Sequence, residues 1–343
     1  MIFITGGTGL VGSHLLFTLL QENDNIKVRA LKRSTSHTEA LEKIFYYYSD
    51  TPDDMLSRIE WVEGDMTDYY NMEELLDGIS EVYHCAGTIS FNKSEEDRML
   101  NTNIKGTANL VDAALSNNVK KFCHVSSIAA LGKTKDNTEI TEETYWMPSR
   151  KKSGYSKSKF FSEMEVWRGI EEGLDAVIVN PSIILGPGSW DNGSPRFFKT
   201  VWEGMKYYTK GITGFVDVRD VSKAMLLLMN DLNFENVKNN RYILNAGNIS
   251  YQELFNKIAD SMQKPRPEYF ASDLLLSIAW KAALIAKVFT RKPPFITKNA
   301  VAGINRDSHY DGSKICRSID FGYRALDSSI REISTFFISD IKQ

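Results

Sequence analysis

Short apolar runs alternate with longer stretches of helical spacing through the first half of the chain. The runs "MIFIT" (1–5), "KVRAL" (27–31), "IEWVEG" (59–64), "SEVYHCA" (80–86), "VKKFCHVSS" (119–127) and "DAVIVNP" (175–181) read as strands. Between them, residues 10–22, 37–49, 70–77, 95–117 and 155–172 predict helices. Strand and helix in strict alternation imply right-handed crossovers. The fold class expected is therefore α/β, a doubly wound parallel sheet covered on both faces.

After residue 181 the rhythm breaks. "SIILGPGSWDNGSPRFF" (182–198) is rich in Gly, Pro, Ser and Asn and predicts a long loop. "GFVDV" (214–218) and "RYILNAG" (241–247) read as further short strands with a helix from Asp220 to about Asn230 between them. The last ninety or so residues are mostly helical in pattern. The expected division is a dinucleotide-binding domain over 1–181 and 214–247, with a smaller, mostly helical substrate lobe over 182–213 and 248–343. No repeat or low-complexity tract interrupts this order.

With 343 residues the chain can bury a large core in about two lobes. A net charge of −3 lacks the basic excess of a nucleic-acid binder, so no nucleic-acid partner is expected. The three cysteines, Cys85, Cys123 and Cys316, form neither a metal spacing nor a disulfide framework, which suits a reducing, cytoplasmic setting without a bound metal. No signal peptide is visible. The apolar segment "LLLSIAWKAALIAKVF" (274–289) carries Lys281 and Lys287 and falls short of a membrane span, so a core or lobe helix is expected there.

The stretch "FITGGTGLVGSHLLFTLL" (3–20) sets Gly6, Gly9 and Gly12 directly after a strand and at the opening of a helix. Glycine permits the tight turn, the close approach of backbone to a pyrophosphate, and tight helix–strand packing. The helix N-terminus adds unpaired N–H groups for the phosphates. A dinucleotide follows. At the second strand end, where an acid would bind a free ribose 2′-hydroxyl, the chain reads Lys32, Arg33 and Ser34, with no acid before Glu39. A guanidinium grips a 2′-phosphate that a carboxylate would repel, so NADP is favoured over NAD. Asp65 in "GDMTD" (64–68) is a candidate for the adenine amino group and equally for a helix N-cap. "HCAG" (84–87) ends the fourth strand with small residues suited to a cofactor, and His84 reads as structural.

Two hydroxyls, Ser126 and Ser127, end the fifth strand, at the edge where doubly wound sheets bind ligands. In "GYSKSKFF" (154–161), Tyr155 and Lys159 lie four apart and share a helix face. A fixed ammonium favours the phenolate, which makes proton exchange with a substrate oxygen feasible.

Together with "NTNIKGTANL" (101–110), "HVSSIAALG" (124–132), "NPSIILGPG" (180–188) and "GFVDVRDVSKAM" (214–225), these motifs resemble the extended short-chain dehydrogenase/reductase family, the NAD-dependent epimerase/dehydratase superfamily. The resemblance covers about residues 1–230 and is nearest the dihydroflavonol-reductase and hydroxysteroid-dehydrogenase branch, through "VRALKRS" and "NPSIILGPG". It implies a Rossmann fold, with Tyr155 as general acid/base, Lys159 binding the nicotinamide ribose and lowering the tyrosine pKa, and Ser127 holding the substrate oxygen. It further implies cofactor contacts from Gly6, Thr8, Gly9, Leu10, Val11, Gly12, Lys32, Arg33, Asp65, Met66, Cys85, Ala86, Gly87, Asn103, Ser126, Tyr155, Lys159, Pro181, Ser182 and Ile183. For Asn103 a purely structural role stands beside the functional one. Asp220 matches a motif position and reads as a helix N-cap.

The expected function is an NADP-dependent oxidoreductase acting on a ketone or aldehyde, or the corresponding alcohol, of small to medium size and partly apolar character. Trp146, Trp190, Phe197, Phe198 and Trp202 are candidates for lining its pocket or for packing the lobe. One alternative is a nucleotide-sugar epimerase or dehydratase with tightly held NAD, for which Arg196 and Lys199 are the basic pair available to a diphosphate. Another is a non-catalytic dinucleotide sensor. Within the resemblance, "LG" at 131–132 replaces the "YG" typical of the sugar-nucleotide enzymes. A homodimer paired through the helices at 95–117 and 155–172 is the family expectation.

Overall fold

Ile2 and Ile4 face one way and Phe3 the other, and this two-residue alternation sets the layers of the molecule. The chain, described by a computed structural model over residues 1–90, 93–134, 138–149, 152–276, 278 and 305–342, lays down six parallel strands first. They are β1 (Ile2–Thr5), β2 (Val28–Lys32), β3 (Ile59–Glu63), β4 (Glu81–His84), β5 (Lys121–Val125) and β6 (Ala176–Pro181). Then come β7 (Ile183–Leu185), β8 (Tyr207–Tyr208), β9 (Ile212–Asp217), β10 (Asn240–Leu244), β11 (Gly247–Ser250) and β12 (Tyr269–Phe270). The central sheet has seven strands, all parallel, in the order β10-β6-β5-β4-β1-β2-β3. Strand order reverses between β1 and β4, which opens a crevice beyond their carboxyl ends.

The helices between these strands are α1 (Leu10–Glu22), α2 (Glu39–Tyr48), α3 (Pro52–Ser57), α4 (Tyr69–Leu75), α5 (Glu96–Ser116) and α6 (Gly154–Glu171). After β6 follow α7 (Arg196–Trp202), α8 (Val218–Met229), α9 (Asp231–Val237), α10 (Tyr251–Ser261), α11 (Ser313–Ser318) and α12 (Leu326–Lys342). On one face of the sheet Ile2, Ile4, Val177 and Val179 pack with Leu15 and Leu16 of α1 and Val221 and Met225 of α8. On the other, Phe3, Val82, Phe122 and Ile178 meet Leu110 and Val111 of α5 and Val166 of α6. The expected doubly wound sheet is present.

The region expected as one long loop over 182–198 is more ordered than its composition predicts. Ile183–Leu185 forms β7, parallel to β9, and α7 begins at Arg196. A three-residue strand is too short to announce itself by periodicity. β7, β9 and β11 make a second sheet, and β8 pairs with β12. Around the second sheet, Phe198, Phe215, Leu254, Ile258, Ile333 and Phe337 form a separate core. The apolar stretch 274–289 lies outside the described residues except 274–276 and 278, where Leu276 is buried and Leu274 and Ile278 are exposed. Among the described residues no helix is long and apolar enough to cross a membrane.

α12 joins the two cores: its Phe336 stacks on Tyr47 of α2 at 4.6 Å, while its next residue lies in the second core. Phe337, 1% exposed, meets the rings of Trp190 at 5.1 Å and Trp202 at 6.0 Å. Phe337→Ala should destabilise the protein by about 3–5 kcal/mol, through lost transfer energy plus the cavity left behind. Urea unfolding checks this, the expected signature being a lower midpoint with an unchanged slope.

Candidate active site

The glycine loop sits where β1 ends. Gly6 has φ +72°, a left-handed conformation that side chains disfavour, and a Cβ there would stand 2.6 Å from the Ala86 nitrogen. A Cβ on Gly12 would stand 2.2 Å from the Gly6 carbonyl oxygen. The loop is thereby pressed against the end of β4, and Gly9 opens α1 with no side-chain cap. The first-turn N–H groups of α1 lack a side-chain acceptor and face the crevice edge, where an anion can bind them. No acid lies in that first turn to compete. This cradle fits the diphosphate of a dinucleotide.

Ser127, Tyr155 and Lys159 come together on the opposite side of the crevice. Ser153 caps α6 by accepting from the Ser156 N–H (3.1 Å), which starts the helix at Gly154, one residue before Tyr155. The Tyr155 phenol is hydrogen-bonded to the Ser127 hydroxyl, which also accepts from the Ala129 N–H at 3.1 Å. Lys159 is 7% exposed and donates to the Val125 carbonyl at 2.9 Å. A Cβ on Gly87 would lie 3.2 Å from the Lys159 Nζ, so the glycine leaves the ammonium its place. Burial pushes the Lys159 amine down to about 8, opposed by Cys85 and Glu163.

The phenol departs from expectation. Burial raises the Tyr155 pKa above its ordinary value, the Ser127 hydrogen bond works the other way, and Lys159 is not among the groups that move it. The physical reason is that the ammonium is turned to the Val125 carbonyl.

Other expected residues divide. Thr8, Leu10 and Val11 lie at the glycine loop and the start of α1, Met66 packs under Gly106, and Ala86 and Gly87 close the crevice wall. Cys85 is buried enough that its thiol is pushed up to about 12, which leaves it inert. Lys32 ends β2 and the exposed Arg33 follows it; the Thr67 N–H and hydroxyl hold the Asp65 carboxyl below its usual range, with the Arg33 charge adding to them.

Asp65 does not cap α4. Its carboxylate accepts from the Thr67 N–H (2.9 Å) and hydroxyl (2.8 Å), and the cap is Asp68. Asp220 is likewise no cap: Asp217 accepts from the Arg219 N–H, while Asp220 accepts from the Arg324 N–H at 2.9 Å. Asn103 clamps Thr88, accepting from its N–H (2.8 Å) and donating to its carbonyl (2.9 Å), so its side chain serves the crevice wall. Ser126 faces away from the crevice and donates to Glu163 at 2.6 Å, since adjacent strand residues point to opposite sides. The Ser182 hydroxyl donates to the Leu244 carbonyl at 3.1 Å, between Pro181 at the end of β6 and Ile183 at the start of β7.

The aromatic candidates belong to packing. Trp190, Phe197, Phe198 and Trp202 join the second core, and Trp146 stacks on Phe160 of α6 at 4.1 Å. Lys199 pairs with Asp191 at 2.5 Å. His84 is structural. Its ring is bonded at both nitrogens, to Thr5 (2.7 Å) and Thr107 (2.9 Å), and burial lowers its pKa to about 3. Sequence reasoning missed Glu163, Asn180 and Arg241, which meet behind Ser126; an acid on a helix face beside other charges gives no signal of burial. Among the described residues no cluster of His, Cys, Asp and Glu could hold a metal ion.

A family model described as the NAD dependent epimerase/dehydratase family matches residues 2–247. The chain is similar to a provisionally named dihydroflavonol 4-reductase of Synechocystis sp., with 27% identity covering 98% of this chain and 94% of that protein. It is also similar to sterol demethylase protein B of Methylococcus capsulatus, with 26% identity covering 92% of each. Among solved structures, UDP-glucose 4-epimerase of Thermotoga maritima superposes with a TM-score of 0.76 over 99% of both chains at 19% identity, a likeness of fold alone.

The unfolded chain holds the Lys159 proton to about pH 10.5, while the folded protein releases it near 8. Across that window the unfolded state binds more protons, so this lysine makes stability rise with pH. Lys159→Met should remove the rise: between pH 8 and 10.5 the wild type gains stability relative to the variant, read by urea unfolding at each pH.

Proposed function

The chain belongs to the NAD dependent epimerase/dehydratase family and is an oxidoreductase of the short-chain dehydrogenase/reductase type, and we propose that it reduces a ketone or aldehyde with NADPH or runs the reverse reaction. The observation that carries this reading is the hydrogen bond between Tyr155 and Ser127, with Lys159 one turn along α6 and facing the glycine-loop side. Bound there, the reduced nicotinamide supplies a hydride to the carbonyl carbon. Ser127 and Tyr155 converge on the substrate oxygen and polarise it where negative charge develops. The Tyr155 phenol gives that oxygen its proton, so each turnover transfers one hydride and one proton. Lys159 directs one proton to Val125 and has two more for ribose hydroxyls.

Arg33, at the end of β2 with no acid beside it in sequence, supports NADP over NAD. The names of the relatives, a dihydroflavonol reductase and a sterol demethylase component, support a partly apolar substrate of moderate size. Residues 1–181 and 214–247 are proposed as the dinucleotide domain and the remainder as the substrate lobe, with β9 the central strand of the second sheet between β7 and β11. A homodimer through α5 and α6 is proposed on the family expectation, and the free thiols support a reducing compartment.

NADPH should bind more tightly than NADH, and Arg33→Asp should abolish that preference in a fluorescence titration; an unchanged preference removes Arg33 from the role. Tyr155→Phe should lower carbonyl reduction on the order of 10²–10⁴-fold while NADPH still binds. NAD copurifying tightly with the wild type, with no net turnover of carbonyls, would favour the epimerase alternative.

A further inference from the structure

Glu163 lies one turn beyond Lys159 on α6 and is 2% exposed. Its Oε2 accepts from the Ser126 hydroxyl (2.6 Å) and Asn180 Nδ2 (2.8 Å), and its Oε1 from Arg241 Nη1 (3.0 Å) and Trp167 Nε1 (3.3 Å). Ser126 follows β5, Asn180 is on β6 and Arg241 is on β10, so one carboxylate ties three neighbouring strands to α6. Arg241 is itself oriented by the Glu142 carbonyl, to which Nε donates at 2.8 Å. Asn180 Nδ2 also reaches the Ser127 carbonyl at 3.1 Å. The backbone holding the Ser127 hydroxyl and the Val125 acceptor of Lys159 therefore flanks Ser126 on either side.

A buried ion pair of this kind is weak as a source of stability, because well-packed apolar residues commonly do as well. It is strong as a constraint, because every partner has one place to go. We propose that Glu163 is a positioning residue of the active site, fixing the Val125–Ser127 segment against α6 so that the Ser127 hydroxyl, the Tyr155 phenol and the Lys159 ammonium keep one geometry. The proposal rests on the carbonyl-reductase reading above.

An electrostatic consequence accompanies the geometry. Cys85 from the β4 end and Glu163 on α6 act on Lys159, which itself acts on His84 of β4 and His124 of β5, and Tyr155 lies one turn before it on α6. Burial keeps the thiol protonated, the phenol protonated and both imidazoles neutral near neutral pH. Among these described groups, Glu163 is thus the negative charge that helps Lys159 keep its proton.

Glu163→Gln retains size and hydrogen-bonding capacity but removes the charge. With any carbonyl the wild type reduces, kcat should fall on the order of tenfold to a hundredfold, while KM for NADPH stays within about twofold. The alkaline limb of kcat should move to lower pH, since burial of Lys159 is then less opposed. Glu163→Asp should return that limb toward the wild-type position while kcat stays low, because charge is restored without reach. Should Glu163→Gln fail to fold, Glu163→Gln/Arg241→Met removes both charges and should show the same lowered kcat. Wild-type kcat with an unmoved alkaline limb, in whichever of these two variants folds, overturns the proposal. If the wild type reduces no carbonyl, the functional reading fails, and NMR titration of the Lys159 side chain with NADPH present still decides: a lower midpoint in the variant supports the Glu163 assignment, and an identical midpoint refutes it.

Discussion

A lysine ammonium held away from water organises this crevice. Lys159 reaches the Val125 carbonyl past Gly87, where a Cβ would crowd the ammonium at 3.2 Å, and its burial costs the charge some of its hold on the proton. To keep such a group in place the chain must fix β4, β5 and α6 together. It does so with few polar contacts: Asn103 on Thr88, Ser153 at the helix start, and the Glu163 cluster behind Ser126. These contacts lie on the side of the crevice that carries Ser127, Tyr155 and Lys159. On the phosphate side the contacts are of another kind, glycines that let two backbone segments touch.

The first half of the fold was legible because its periodicities are long and its glycines sit at a strand–helix junction. β1 to β6 and α1, α2, α4, α5 and α6 fall within a few residues of their expected places. α3 was not anticipated, although Pro52 at its first turn is a helix-start residue; six residues give too little spacing to read. β7, β8, β11 and β12 have two to four residues each and are defined by their partners, which no local pattern contains. The same limit applies to the site. The pair Tyr155 and Lys159 is written in the spacing of one helix. Which of Ser126 and Ser127 faces the crevice depends on the pleat of β5, and family alignment rather than local chemistry favoured Ser127. Glu163 could be recognised only once three strands converged on it.

The two cores are joined by polar as well as apolar contacts. Asp340 on α12 accepts from Tyr47 of α2 at 2.6 Å and from the indole of Trp190 at 2.7 Å, so one carboxylate links the sheet's helical cover to the loop after β7. Arg219 on α8 bridges Asp217 and Glu332 of α12 in the same region. Leu10 at the glycine loop touches the space above Gly186 and Gly188, so this joint lies next to the phosphate cradle. The loop after β7 therefore lies against the glycine loop at Leu10.

The sheet order carries a liability of its own. β6 is buried at all six positions in the finished sheet, yet its outer neighbour is β10, supplied by residues 240–244. Everything from β7 to α9 must be threaded aside before that strand arrives. Until then β6 is a bare, apolar edge with unpaired N–H and C=O groups, able to template a strand from another molecule. Folding has to close that edge before another chain pairs with it.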